Sequence, residues 1–445
     1  MSSNIVQAVQ AAGVVGAGGG GFPTHVKLAS RVDTVIANGA ECEPLVRSDR
    51  HLMASDPEAV VRGLRLAMAA TGARRGVVAV KEEATQAREA ILAAIGKADD
   101  ITLAPLGSYY PAGDEFVLVQ TVLGRSVPEG GLPRDVGVLV QNVATLSQIA
   151  AAQQGTPVTE RRITVVGEVR SPRSLRVPIG TAVRQVIAWA GGLTRPEDEV
   201  AVVSGGAMMG RLVSLDAPTT KTMGALFVLP QHSPVVEMLS RSLAANLRRG
   251  RSACDQCRDC TEVCPRHLLG HALAPHEIMR SINYGLDKPT HIVTAAVLCS
   301  ECRLCEAYAC PLGLSPLAYY RACKAELRRQ GWQNTVHRRA DLTPLAEWEW
   351  RRVPVSRLID KLGLARYAKQ PIVADESHHT PQRVQILWRQ HAGAPAQPVV
   401  AVGQRVRRGD LLGEVPQGAL GARVHASIEG VITELNADSV VLRGE

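Results

Sequence analysis

Cys254-Asp255-Gln256-Cys257-Arg258-Asp259-Cys260-Thr261-Glu262-Val263-Cys264-Pro265 is answered further along by Cys299-Ser300-Glu301-Cys302-Arg303-Leu304-Cys305-Glu306-Ala307-Tyr308-Ala309-Cys310-Pro311. These two runs hold eight of the ten cysteines of the chain. Three thiolates at two-residue spacing can take three corners of an iron–sulfur cube as the chain curls around it. The fourth cysteine, set just before a proline, leaves in a new direction. A pair of zinc sites is one alternative, but structural zinc takes its ligands as two separated pairs and fits a triple poorly. Disulfides are another, and they need an oxidising compartment that no secretory signal here supports. Because the pattern occurs twice, the spacing predicts two [4Fe–4S] clusters. The second run places four residues before its last cysteine, where the usual bacterial run has three.

The doubled run resembles that of two-cluster ferredoxins, in which the fourth cysteine ligates the other cluster. That resemblance implies one cluster on Cys254, Cys257, Cys260 and Cys310, and a second on Cys299, Cys302, Cys305 and Cys264. Cys323 and Cys42 belong to neither run and read as buried thiols.

With 445 residues, two to four domains are expected. Aromatics make up 3% of the chain, too few for the stacking platforms that bind single-stranded nucleic acid, so no nucleic-acid partner is expected. The formal net charge of +8 is carried partly by arginine runs that flank the cysteine region, Arg248-Arg249-Gly250-Arg251 and Arg328-Arg329. A solvated face explains them, with a docking surface for an acidic partner as the sharper alternative. No signal peptide is visible, and no apolar run approaches the roughly 18 residues of a membrane span. Together with reduced thiolates, this predicts a soluble cytoplasmic protein with no membrane span.

Residues 1–150 alternate between helical and strand patterns, which is an α/β signature. Strands are expected over 32–37 and 76–80, and helices over 57–70, 84–95 and up to residue 123. A glycine-rich loop, Gly16-Ala17-Gly18-Gly19-Gly20-Gly21-Phe22-Pro23-Thr24-His25-Val26-Lys27, precedes the first strand. Exposed backbone N–H groups in such a loop can cradle phosphate. The loop does not fit the Rossmann fingerprint, because no strand comes before it. Asp114 and Glu115 stand at a helix start, where acidic residues suit the dipole.

The loop occurs in order with Asn38-Gly39-Ala40-Glu41-Cys42-Glu43-Pro44, Tyr110-Pro111-Ala112-Gly113-Asp114-Glu115 and Gln141-Asn142-Val143-Ala144-Thr145-Leu146. The set resembles the flavin-binding fold of the NADH-oxidising subunit of respiratory complex I and of the Rnf complex C subunit. The resemblance implies that Gly16, Gly18, Lys27, Asn38, Gly113, Asp114, Glu115, Asn142 and Thr145 surround FMN. It also implies that Glu41 and Glu43 lie near the flavin and the nicotinamide of NADH. The complex I pattern has Asp in place of Ala40 and Glu in place of Asp114.

Residues 151–235 resemble a soluble-ligand-binding β-grasp domain, with Met208-Met209 read as core and a corrinoid contact as the lesser alternative. Residues 236–330 form the helical, ferredoxin-like two-cluster domain, entered by one helix over 235–247. Its histidines, His267, His271 and His276, read as surface or packing residues. Residues 331–382 are a connector with one amphipathic helix. Residues 383–445 resemble a C-terminal β barrel-sandwich hybrid of the biotinyl/lipoyl type. No lysine follows Lys369, so a structural or docking module is expected there rather than a covalent carrier.

This order of modules over nearly the whole chain resembles the PduS-type cobalamin reductases of propanediol-utilisation microcompartments. The resemblance implies an α/β multidomain oxidoreductase that takes electrons from NADH through FMN and two [4Fe–4S] clusters to cobalamin. It implies a corrinoid adenosyltransferase and a microcompartment shell protein as partners, and a place inside a bacterial microcompartment. No side chain need act as acid, base or nucleophile. An Rnf-like electron-transfer subunit is the competing reading, disfavoured by domain order; a non-enzymatic ligand-binding scaffold is disfavoured by the eight spaced cysteines.

Overall fold

A computed structural model describes residues 2–285 and 291–444. The expectation of partial helix between the two cysteine runs is met by Pro275–Asn283 and His291–Thr294; residues 286–290 lie outside the described residues.

The N-terminal part is built on a four-stranded sheet in the order Ile101–Leu106, Arg75–Lys81, Thr34–Gly39, Val138–Asn142, with every pair parallel. The strands carry apolar side chains on both faces, as sheets covered by helices on both sides do. Val35, Ala37, Val78, Val80 and Leu139 point into one core with the helices Ser2–Ala11, Pro57–Thr71, Thr85–Ile95 and Val143–Gln153. Ile36, Val77, Ala79, Val138 and Val140 point into the other, under Glu115–Leu123. Leu268 and Leu269 of the cysteine region join that second core. Gly63 lets two helices touch: a Cβ there would lie 1.9 Å from the carbonyl oxygen of Leu146.

Strand order places the site. The chain builds outward from Thr34–Gly39 to Ile101–Leu106 and then returns to add Val138–Asn142 on the opposite side of its first strand. The crevice at the carboxyl ends of those two neighbours is the switch point, where open α/β sheets bind ligands.

A six-stranded sheet follows, ordered Val373–Asp375, Arg173–Pro178, Glu160–Gly167, Ala225–Pro230, Val200–Ser204, Arg211–Val213, with Val183–Trp189 as its helix. Its outermost strand comes from the connector. A second connector strand, Val353–Pro354, pairs with Tyr109–Tyr110 of the flavin part. The segment expected as a connector with one helix is therefore stitched into two neighbouring sheets; besides the expected helix Val355–Lys361 it carries a short second one, Ala365–Ala368. The single helix expected over 235–247 is two, Pro234–Ser240 and Leu243–Ala253, broken where the Ser242 hydroxyl accepts from Ala245 N and caps the second. The C-terminal module pairs Arg383–Leu387, Ser439–Arg443, Gly430–Leu435 and Arg405–Val406 in one sheet and Gln397–Pro398, Leu411–Glu414 and Val424–His425 in another, around the buried Trp388. The strand expected at 399–402 does not form among the described residues. Lys221 fastens three modules, donating to the carbonyls of Gly13 (2.7 Å) and Arg423 (2.6 Å) from a fully buried position.

Among the described residues, no helix is long and apolar enough to cross a membrane.

Candidate flavin and iron–sulfur centres

Asn38 and Asn142 are register partners at the carboxyl ends of the two central strands. Asn38 Nδ2 donates to Gly113 O (2.9 Å), which ties the first strand to the loop before Glu115–Leu123. Asn142 caps Val143–Gln153 through Ala144 N and donates to Asp49 Oδ2 (2.6 Å). The glycine loop closes over this crevice: Gly16 N donates to Phe22 O, and Ala17 N to the buried Thr145 hydroxyl (2.9 Å). Gly18 faces Asn142, where a Cβ would come within 3.5 Å of that side chain. Lys27 Nζ pairs with Glu115 (2.7 Å) at the same edge. The structure thus brings Gly16, Gly18, Lys27, Asn38, Gly113, Asp114, Glu115, Asn142 and Thr145 to one crevice.

The crevice suits a bound phosphate-bearing group. Gly19, at φ 105°, and Gly20 have open space where a Cβ would stand. The Thr24 hydroxyl and Gln141 Nε2, on the two segments flanking the crevice, are buried without a hydrogen-bond partner; buried polar groups of this kind are normally satisfied. Asp49 is pushed up by burial and by the neighbouring Glu41 carboxylate, while Arg161 and the Asn142 amide oppose the shift.

The two glutamates expected beside flavin and nicotinamide have protein partners. Glu41, at φ 29°, accepts from Ser48 Oγ (2.9 Å), Asp49 N (2.8 Å) and Arg50 N (3.0 Å), and so caps Ser48–Ser55 from outside. Glu43 reaches into the β-grasp sheet and accepts from Met208 N (3.0 Å) and Met209 N (2.8 Å). Burial pushes the Glu43 carboxyl up to about 7, against those two N–H groups and Arg303. Met208 is buried, as a core reading expects; Met209 is 54% exposed.

The eight clustered cysteines line two cavities in crossed sets. Cys254, Cys257, Cys260 and Cys310 line one; Cys264, Cys299, Cys302 and Cys305 line the other. Both runs use the same backbone path. Gln256 and Arg258 flank the second cysteine of the first run at φ 61° and 74°; Glu301 and Arg303 do so in the second at 62° and 69°. Left-handed conformation at non-glycine residues costs about 1–3 kcal/mol each and persists where the surroundings demand it. The fourth cysteines also match: Cys264 at φ −69°, ψ 117° and Cys310 at φ −71°, ψ 115°. The extra residue before Cys310 is absorbed by a π-helical turn, Cys305–Ala309, where the first run has the α-turn Asp259–Glu262. A π-turn takes up one more residue than an α-turn.

Backbone N–H groups point at sulfur: Glu301 N to Cys299 Sγ and Leu314 N to Cys310 Sγ, both at 3.3 Å. Burial pushes the Cys260 and Cys264 thiols up to about 12, and raises Cys302 and Cys305 too. Four thiols around one cavity, with N–H donors aimed at sulfur, fit a thiolate-held cluster whose iron offsets the cost of ionising them.

Four residues that bind these centres together stand outside the predicted set or beyond the roles expected of them. Tyr110 donates to Cys302 O (2.9 Å). Asp114 caps Glu115–Leu123 and pairs with Arg266 (3.0 Å), which follows Cys264-Pro265. Arg303 donates to Met208 O (2.6 Å) and pairs with Glu306 (3.0 Å), both side chains being 4% exposed. Asp49 holds Asn142. Arg266 and Arg303 had a sequence signal, as cations inside the cysteine runs. Cys42 packs beside Gly113 with its thiol pushed up to about 11 by burial, and Cys323 is buried. His271 packs by Phe116 and His276 bonds Thr261, as packing histidines do.

Fold and centres together define a flavin- and iron–sulfur-dependent oxidoreductase. Family models match in the same order: the Nuo51 FMN-binding domain over residues 9–151, the SLBB domain over 162–212, a 4Fe-4S dicluster domain over 253–315 and the RnfC barrel sandwich hybrid domain over 368–444. The chain is 44% identical over its full length to cobalamin reductase PduS of Salmonella typhimurium, covering 97% of that protein, and equally to PduS of Citrobacter freundii. It is 39% identical over 58% of its length to the RnfC-type component of the Na(+)-translocating ferredoxin:NAD(+) oxidoreductase complex of Acetobacterium woodii, covering 56% of that component. The chain belongs to the PduS family of cobalamin reductases.

Proposed function

We propose that the protein takes electrons from NADH and delivers them to cobalamin, reducing cob(III)alamin towards cob(I)alamin. Full-length kinship with PduS carries this reading; the Rnf-type relative matches only 58% of the chain. Bound FMN would accept electrons in a pair and release them singly, the chemistry that joins a two-electron donor to one-electron clusters. The chain's own residues set that exchange. The glycine loop, Lys27, Asn38, Asn142 and Thr145 would hold the flavin at the switch point of the sheet. Gly113, Asp114 and Glu115 would form its opposite wall, with Glu41 and Glu43 bracing the loop between strand and ring. The crossed sets of four cysteines would each hold one [4Fe–4S] cluster. The balance is NADH plus cob(III)alamin giving NAD+, one proton and cob(I)alamin.

The same reading sets the protein beside a corrinoid adenosyltransferase and a shell protein, in the cytoplasm within a bacterial microcompartment. It divides the chain at residues 150, 235, 330 and 382. Anaerobic reconstitution followed by NADH, cob(III)alamin and an alkylating trap tests the reaction. Alkylcobalamin formation dependent on NADH is expected. Flavin bleaching without any corrinoid product, with or without an adenosyltransferase, contradicts the acceptor.

A further inference from the structure

The two cysteine cradles share a backbone path but not an environment. Cys264, Cys302 and Cys305 are 8–9% exposed. Cys302 packs in one apolar core with Leu45, Val46 and Tyr110 of the flavin part. Three polar links tie this cradle to the walls of the flavin crevice. Tyr110 donates to Cys302 O, Asp114 pairs with Arg266, and Glu43 holds the Met208 N–H while Arg303 holds the Met208 carbonyl. Each link runs from the 41–46 loop or the 109–115 loop to a residue within two positions of a cysteine of this set.

The other cavity is lined only by residues between 254 and 316. Its Cys257 is exposed, and Leu312, which lines the same cavity, is 44% exposed. Arg248, Arg249 and Arg251 lie exposed on the helix that leads into it.

We infer that the cradle of Cys264, Cys299, Cys302 and Cys305 receives electrons from the flavin side, and that the cradle of Cys254, Cys257, Cys260 and Cys310 is the terminus from which they leave. This rests on the flavin-to-cluster reading above and gives the wire a direction. Each NADH oxidised to NAD+ and a proton supplies two electrons, which pass one at a time; each transfer oxidises the inner centre and reduces the outer one by a single electron. The acceptor, the corrinoid, is met at the Cys257–Leu312 edge.

The test uses the full-length holoprotein carrying Cys257→Ala, reconstituted anaerobically. FMN content is expected to match wild type and iron to fall by half. NADH is still expected to reduce the remaining cluster, seen by electron paramagnetic resonance, while corrinoid reduction drops at least ~10-fold. If the remaining cluster stays oxidised with NADH although the flavin bleaches and dithionite reduces it, the order is reversed and the inference falls. Failure of the underlying reading looks different: wild-type flavin would not bleach with NADH. Should Cys257→Ala hold neither cluster, Cys257→Ser decides the question by keeping an oxygen ligand on the cube. It is expected to shift the potential of one cluster only and to leave NADH reduction of the other at the wild-type rate; slowing of that step overturns the order.

Discussion

At the scale of single residues, the side chains with the sharpest consequences are those whose partners lie far along the chain. Glu43 gives up solvent to hold two N–H groups of another module. Glu43→Ala leaves both donors without that acceptor and is expected to cost ~1–3 kcal/mol in chemical denaturation, with FMN still bound. Lys221 is held down to about 7 by burial. A base whose folded pKa is depressed contributes stability above its unfolded value, near 10.5, and loses it as pH falls towards 7. Wild type should therefore gain on Lys221→Met by up to ~1.4 kcal/mol per pH unit between pH 7.5 and 9.5, read from paired unfolding curves. A flat difference would mean that the two carbonyls hold the amine charged throughout. Neither role was legible in the sequence. Glu43 stood in a motif that pointed to a ligand, and Lys221 in a stretch with no motif; the contacts that define them span 165 and more than 200 positions.

Among the elements, the second cysteine run posed the sharper problem. Four residues before Cys310 departed from the ferredoxin spacing, and spacing alone left its role open. The π-turn Cys305–Ala309 resolves it, because Cys310 arrives with the backbone angles of Cys264. Deleting Ala309 should let the turn relax to an α-turn with Cys310 still in reach. Full iron content is the expected result; loss of half the iron would show that the π-turn is itself required. The parallel sheet was legible, since four buried apolar runs alternate with helical periods. The connector was not: two or three residues of strand, such as Val353–Pro354 and Val373–Asp375, carry too little pattern to distinguish from a loop, and their partners decide the matter. The 235–247 helix looked continuous because its break at Arg241-Ser242 contains neither glycine nor proline.

Across the whole molecule, the modules form one path rather than a string of domains. Leu268 and Leu269 complete the core beneath the sheet of the flavin part, and Asp114–Arg266 is a mostly buried ion pair between that part and the cysteine region. Breaking a buried pair from one side leaves an uncompensated charge, so Arg266→Ala is expected to cost ~3–5 kcal/mol and to loosen flavin and cluster binding together. FMN and iron analysis beside a melting curve checks this. Cofactor types were legible in the motifs; the direction of the wire was not, because two runs of nearly equal spacing differ only in what packs against them.

The most direct measurement is cofactor quantitation and NADH reduction of one anaerobic sample. One FMN and about eight irons per chain are predicted, with NADH alone bleaching the flavin and raising the paramagnetic signals of both reduced clusters. Zinc in place of iron, or a flavin that bleaches while both clusters stay oxidised, would contradict the account.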